Sequence, residues 1–218
     1  MGYFITFEGV EGCGKTTQIK MLSDNLLKLG YSTKLTREPG GCKISDKIRS
    51  ILLDAENSGM SPLTELMLYA AARAQHIEEV IVPSIESNKI VLCDRFSDAT
   101  VAYQSYGRGI DISIISTLNS YACQGITPDL TVLVDCEPSL GLMRARKRIE
   151  ESAGPREERF ELETLAFHNR VRKGYLQLAS EQSDRFLIVD GSDTIEAISA
   201  AIATKVLPRI PEKLRAVC

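Results

Sequence analysis

Residues 9–16 (GVEGCGKT) meet the spacing G-x-x-x-x-G-K-[ST] with no mismatch, the pattern of a loop that holds a polyphosphate. Gly9, Gly12 and Gly14 let the backbone turn so that successive N–H groups, that of Cys13 among them, point inward at phosphate oxygens. Lys15 adds a full positive charge and the Thr16 hydroxyl a ligand for Mg²⁺. A second pair, Asp94-Arg95, ends the apolar run 90–93. At the carboxyl end of a parallel strand both side chains should emerge beside the phosphate loop, the carboxylate suited to Mg²⁺ and the arginine to a phosphate. Alone, such a pair could equally tie strand to helix. Beside a complete phosphate loop the chemical reading is preferred.

These residues need a frame. The run 3–7 (YFITF) is short and β-prone, and Ile19, Leu22, Leu26 and Leu29 fall on one face of a helix. The loop therefore lies between strand and helix, with the helix N-terminus adding partial positive charge. Strands are predicted at 3–7, 32–36, 90–94, 130–135 and 185–189. Helices are predicted at about 15–29, 44–54, 62–87, 111–122, 138–150, 157–182 and 194–206. Such alternation predicts an α/β fold: a five-stranded parallel sheet flanked by helices on both faces. Pro83 should kink or end the longest helix. One phosphate-loop domain is expected over 1–207, and a loosely held tail over 208–218.

Bulk properties narrow the partners. Lys and Arg number 26 against 29 Asp and Glu, a net charge of −3, so no basic surplus points to nucleic acid or an anionic membrane. The six cysteines show no C-x-x-C pair or metal-ligand spacing, and no apolar run approaches membrane-spanning length. With a β-prone run starting by residue 3, no signal peptide is expected. The expectation is a soluble cytoplasmic protein with reduced thiols. A GTPase would need N-K-x-D, but the chain's one Asn-Lys pair, Asn88-Lys89, is followed by Ile90 and Val91. With no D-x-x-G switch either, a compact kinase with a small phosphate acceptor fits better than a GTPase or a nucleic-acid motor.

The chain resembles the bacterial thymidylate kinases along nearly its whole length. The matching pieces are ITFEGVEGCGKTTQ, TREPGG at 36–41, LYAAAR at 68–73, VLCDRFSDATVAYQ at 91–104, TPDLTVLVD at 127–135, and RFE with FHNRVRKGY at 159–175. The resemblance implies transfer of the ATP γ-phosphoryl group to dTMP, giving dTDP and ADP for dTTP synthesis, with Mg²⁺, in a homodimer. The alternatives are another nucleoside monophosphate kinase, a deoxynucleoside kinase, or a nucleotide-binding switch without transfer.

By the same resemblance, Thr17 lies near the α-phosphate, and Glu11 faces the acceptor sugar and phosphate. Arg37, Arg49 and Arg95 would bind the acceptor phosphate, although residues 42–46 (CKISD) depart from the family's pattern there. Tyr69 would stack on thymine, and Arg73, four residues on and on the same helical face, would bond a base carbonyl. Thr100 and Gln104 would meet the base's polar edge, and Tyr103 would pack at C2′. A lid is expected at about 144–160, where basic and acidic residues surround Gly154-Pro155. Lys15 is the only cation of the phosphate loop, so the lid would supply the catalytic one. Arg159 is the first choice, with Arg148 and Arg156 behind it.

Overall fold

The structure, a computed structural model, describes residues 1–151 and 159–215. Among them β1 (Tyr3–Glu8), β2 (Thr33–Arg37), β3 (Ile90–Asp94), β4 (Leu130–Asp135) and β5 (Phe186–Asp190) form one sheet in the order β2-β3-β1-β4-β5. Every pairing is parallel. The central strands are near-continuous hydrophobic runs because both faces of the sheet are covered; Ile90, Val91, Leu92 and Cys93 are fully buried. The register sets Phe7 opposite Asp94, and Asp94 opposite Arg37. Three chemically active stretches therefore leave the sheet at one edge, and the phosphate loop turns from β1 into α1 (Lys15–Lys28).

Helices α2 (Lys43–Leu53) and α3 (Pro62–His76) follow β2 and pack on each other. The helical course beyond α3 continues through a wide π turn at Ile77–Ile81 into α4 (Val82–Glu86). Pro83 thus does not end the run; it sits in the first turn of α4, where its missing N–H has no helical partner to lose, just after the π turn. After β3 comes the short α5 (Ser97–Thr100), a second π turn at Val101–Gly107, and α6 (Ile112–Cys123). Next are α7 (Pro138–Glu150), α8 (Leu165–Glu181) and α9 (Ile195–Val206). The eighth helix begins later than its sequence suggests because the Thr164 side chain caps it, accepting from Phe167 N–H at 3.2 Å. No helix among the described residues is long and apolar enough to cross a membrane.

The C-terminal stretch differs from expectation up to Arg215. Ile210 and Leu214 are buried in the main core, Arg215 pairs with Tyr31, and its Nε donates to the Leu29 carbonyl at 2.7 Å. The apolar spacing of these two residues around Pro211 is too short to read as an element, yet it suffices to dock the strand-like end. Leu214→Ala should lower unfolding free energy by roughly 2–5 kcal/mol. Chemical denaturation measures this, and a change below about 0.5 kcal/mol, the ordinary surface value, would mean the end is loosely held after all.

Candidate active site

A cleft of about 1190 Å³ opens along the carboxyl edge of the sheet. Its walls include Glu11, Gly12, Lys15, Thr16 and Thr17 from the phosphate loop and α1, and Asp94 from β3. They also include each residue expected to bind the acceptor: Arg37, Arg49, Tyr69, Arg73, Arg95, Thr100, Tyr103 and Gln104. Residues from five separate segments are brought together there.

At the donor end, Gly12 has φ +66°, and a Cβ on it would drive into the Gly141 carbonyl of α7. Only glycine lets the loop pass so close to the helix that leads into the expected lid. Cys13 turns its side chain into the core, so its backbone amide is the part it can offer to phosphate. The Lys15 ammonium donates to the carbonyls of Gly9 (3.0 Å) and Val10 (2.9 Å). Thr16 Oγ1 donates to Asp94 Oδ2 at 2.7 Å, which holds the two oxygens expected at a metal side by side. Among the described residues no group of three carboxylate, histidine or cysteine side chains could cage a metal alone.

The centre of the cleft is a buried charge cluster. Arg95 takes the left-handed φ of +71° as the chain leaves β3. Its Nη2 donates to Glu11 Oε1 (3.1 Å) and its Nη1 to the Tyr175 hydroxyl (3.0 Å), with the guanidinium 4.8 Å from the centre of the Tyr103 ring. The Tyr175 hydroxyl in turn donates to Glu8 Oε2 at 2.7 Å, and Glu8 Oε1 accepts from the Phe96 N–H at 2.7 Å. Tyr103 donates its hydroxyl to Glu11 Oε1, and His168 Nδ1 stands 3.1 Å from Glu11 Oε2, an ion-pair separation without hydrogen-bond alignment. Burial works to raise the Glu11 pKa, but His168, Arg95 and Lys15 outweigh it and bring it down to about 2.

Toward the base end, Arg73 is almost wholly buried. Its Nε donates to Glu38 Oε2 (2.8 Å), Nη1 to Asn119 Oδ1 (2.8 Å), and Nη2 to the Phe96 carbonyl (3.1 Å) and Thr100 Oγ1 (2.9 Å). Four of its five N–H groups are thus committed, leaving one on Nη1. Glu38 Oε1 also meets His76 Nδ1 at 3.0 Å, and His76 Nε2 meets Thr36 Oγ1 at 2.6 Å, so two residues of α3 tie down the loop that carries Arg37. Asp46, inside the atypical 42–46 run, accepts from Arg37 Nη2 and Gly41 N–H, both at 3.2 Å. Asp46, in the first turn of α2, thus ties that helix to the end of β2 and the turn after it. Arg49 donates to the Pro39 carbonyl at 2.9 Å.

Arg159 is placed apart from the cleft walls. It does not line the cleft; its Nη1 pairs with Glu65 Oε2 at 2.6 Å, its Nε donates to the Leu52 carbonyl, and its guanidinium lies 4.7 Å from the Phe160 ring centre. The side chain is only 6% exposed and pairs with a carboxylate that is itself buried. Arg148, near the end of α7, lines the cleft instead, with its side chain 66% exposed and 3.9 Å from Glu161. Arg156 lies outside the described residues. Sequence reasoning also passed over Glu8, Glu38, Glu65, His76, His168 and Tyr175. Each is a buried polar group that holds a cleft residue, and Glu38 lines the cleft as well; a polar side chain inside an apolar run, such as Glu8 after ITF, is the signal that could have flagged one.

The depressed Glu11 pKa sets a pH dependence. Ionised Glu11 stabilises the fold above its ordinary value of 4.5, and that contribution is lost as pH falls toward about 2. It amounts to roughly 3 kcal/mol. Glu11→Gln should be less stable than the parent at pH 6, and the gap should close as pH falls below 4.5 in urea titrations. A gap unchanged between pH 6 and pH 3 would contradict the pairing.

Comparison with known proteins agrees with this geometry. A family model described as thymidylate kinase matches residues 7–202. A thymidylate kinase of Pelobacter propionicus is 65% identical over 207 residues, covering 95% of this chain and 94% of that protein. One from Geotalea uraniireducens is 58% identical over 212 residues, covering 97% and 100%. The crystal structure of the Ehrlichia chaffeensis thymidylate kinase superposes with a TM-score of 0.75 at 33% identity, over 95% of this chain and 98% of that one. With the match spanning both the phosphate loop and the acceptor cleft, the chain belongs to the thymidylate kinase family.

Proposed function

We propose that this chain transfers the γ-phosphoryl group of ATP to dTMP, and that the cleft described above holds both nucleotides end to end. The observation that carries this reading is the meeting, in one cleft, of a complete phosphate loop with Arg37, Arg49 and Arg95. A second phosphate loop would serve a second donor; three arginines beyond the first serve an acceptor that is itself a phosphate.

In the reaction an oxygen of the dTMP phosphate attacks the γ-phosphorus, and the bond to the β–γ bridging oxygen breaks with its electron pair leaving on ADP. The acceptor oxygen is already anionic, so no general base is required. The protein's task is alignment and charge neutralisation. Lys15 leaves the Gly9 and Val10 carbonyls for the β- and γ-phosphates, which the amides from Gly9 to Thr17 cradle. Arg95, held by Glu11 and Tyr175, receives the acceptor phosphate. Tyr69 stacks on the base, and Tyr103 closes the sugar pocket at C2′. Thr16 and Asp94 are the groups that would hold Mg²⁺, whose charge offsets that of the phosphates. Arg148 is the lid cation that this geometry favours.

The same reading includes a homodimer and a cytoplasmic setting. Helices α2, α3 and α6 neighbour one another and expose Ile51, Leu63, Met67, Ile112 and Tyr121, an apolar surface that a second copy would cover. The thiols of Cys13, Cys42, Cys93, Cys123 and Cys136 are free, in keeping with a reducing compartment.

An ADP-release assay tests the function: turnover should require dTMP and be slower with AMP, CMP or GMP, and equal rates with these would overturn the reading. In that assay Arg148→Ala should lower kcat on the order of a thousandfold at nearly unchanged dTMP affinity, as for an arginine acting in the transition state. Arg159→Ala should instead lower the melting temperature and keep kcat within about tenfold of the parent. A reversed outcome, with the rate lost at Arg159, would assign the lid cation to Arg159.

A further inference from the structure

The base end of the cleft has a hydrogen-bond polarity fixed from outside it. Gln104 Nε2 donates to Glu65 Oε1 at 2.8 Å, and both residues are about 1% exposed. Glu65 is also clamped by two arginines: Arg108 Nε and Nη2 donate to its two oxygens at 3.2 and 3.1 Å, and Arg159 Nη1 sits 2.6 Å from Oε2. Burial would raise the Glu65 pKa, but Arg108, Gln104 and Arg159 together hold it below the usual carboxylate range. An ionised carboxylate accepts hydrogen bonds and donates none, so the amide end facing it must be NH₂. The Gln104 carbonyl oxygen is then the end left for the cleft. One turn earlier, Arg73 Nη2 donates to Thr100 Oγ1 at 2.9 Å. An arginine cannot accept, so the Thr100 hydroxyl proton is free to donate.

A ring edge that fits an outward acceptor at Gln104 beside an outward donor at Thr100 carries an N–H next to a carbonyl. N3–H and O4 of thymine or uracil have that pattern; cytosine has a bare N3 and an amino group, the reverse. We propose that Glu65, clamped by Arg108 and Arg159, is a positioning residue that fixes the Gln104 amide and so makes the pocket select a 4-oxo N–H/C=O pyrimidine edge over cytosine. The proposal rests on the dTMP site argued above, and it gives buried Arg159 a task outside the lid.

The test compares kcat/KM for dTMP, dUMP and dCMP in the parent and in Glu65→Gln. A glutamine at position 65 offers either amide end, so Gln104 is free to reverse. The preference for dTMP over dCMP should fall at least about tenfold, because an unpaired buried polar group is what rejects the wrong edge. The preference for dTMP over dUMP, which share that edge, should stay unchanged. An equal loss toward dTMP and dCMP would mean Glu65 is merely structural and would overturn the proposal. If Glu65→Gln does not fold, hydrogen exchange of the Gln104 side-chain amide in the parent decides, its NMR signal assigned by loss in Gln104→Met. A slowly exchanging NH₂ with and without dTMP supports the clamp, and exchange at the rate of a solvated amide refutes it. A parent with no preference for dTMP over dCMP would instead remove the dTMP reading itself.

Discussion

The ion pair between Arg95 and Glu11 is the contact around which the cleft is organised. Both groups are largely withdrawn from water, at 18% and 9% side-chain exposure, and a buried charge left without its partner costs several kcal/mol. Each therefore recruits others. Arg95 draws the Tyr175 hydroxyl, and behind it Glu8; Glu11 draws Tyr103 and His168. In this way the phosphate loop, the end of β3, the π turn after α5, and α8 are joined through side chains rather than through the sheet alone. The left-handed backbone at Arg95 persists because these contacts over-determine it.

Such an arrangement suits a reaction in which little covalent work is asked of the protein. Two polyanions must approach end to end, and the repulsion between them has to be met by groups already in place. At the acceptor side they are in place: Arg37, Arg49, Arg73 and Arg95 are each hydrogen-bonded to protein partners in the cleft wall. At the donor side Lys15 rests on the loop's own carbonyls, and Arg148 lies largely in solvent. Arg73 and Arg95 are thus largely buried and held in place, whereas Arg148 is free to move. Binding energy from the held groups can then go to alignment.

Residues that touch the cleft were legible because phosphate chemistry constrains their type and spacing. The glycines, Lys15 and Thr16 follow from the loop pattern alone, and Asp94 and Arg95 from their place at a strand end. Tyr69, Arg73, Thr100, Tyr103 and Gln104 came with the family resemblance, and all line the cleft. What was not legible acts at one remove. His76 and His168 have no motif about them, yet both are fully buried and hold Glu38 and Glu11. The burial of Arg159 was hidden too: the charged run around Gly154-Pro155 looks solvated, whereas Glu65, more than ninety positions earlier in the chain, reaches Arg159 through the fold. Only tertiary proximity carries that information. Pro83 does not end the helical course, which breaks into a π turn at 77–81 and resumes in α4, with Ile77 and Ile81 buried in the core.

The most direct test of a pre-positioned acceptor site is a binding cycle on Arg95 and Tyr175. Calorimetry would give Kd for dTMP and for thymidine, which lacks the phosphate, in the parent, Arg95→Ala, Tyr175→Phe and the double variant. If Tyr175 acts through Arg95, each single change weakens dTMP by roughly 1.5–3 kcal/mol or less, the scale of a charge-assisted hydrogen bond. Thymidine binding stays level, and the double variant is no worse than Arg95→Ala alone. Equal losses for thymidine and dTMP, or additive losses in the double variant, would contradict the account.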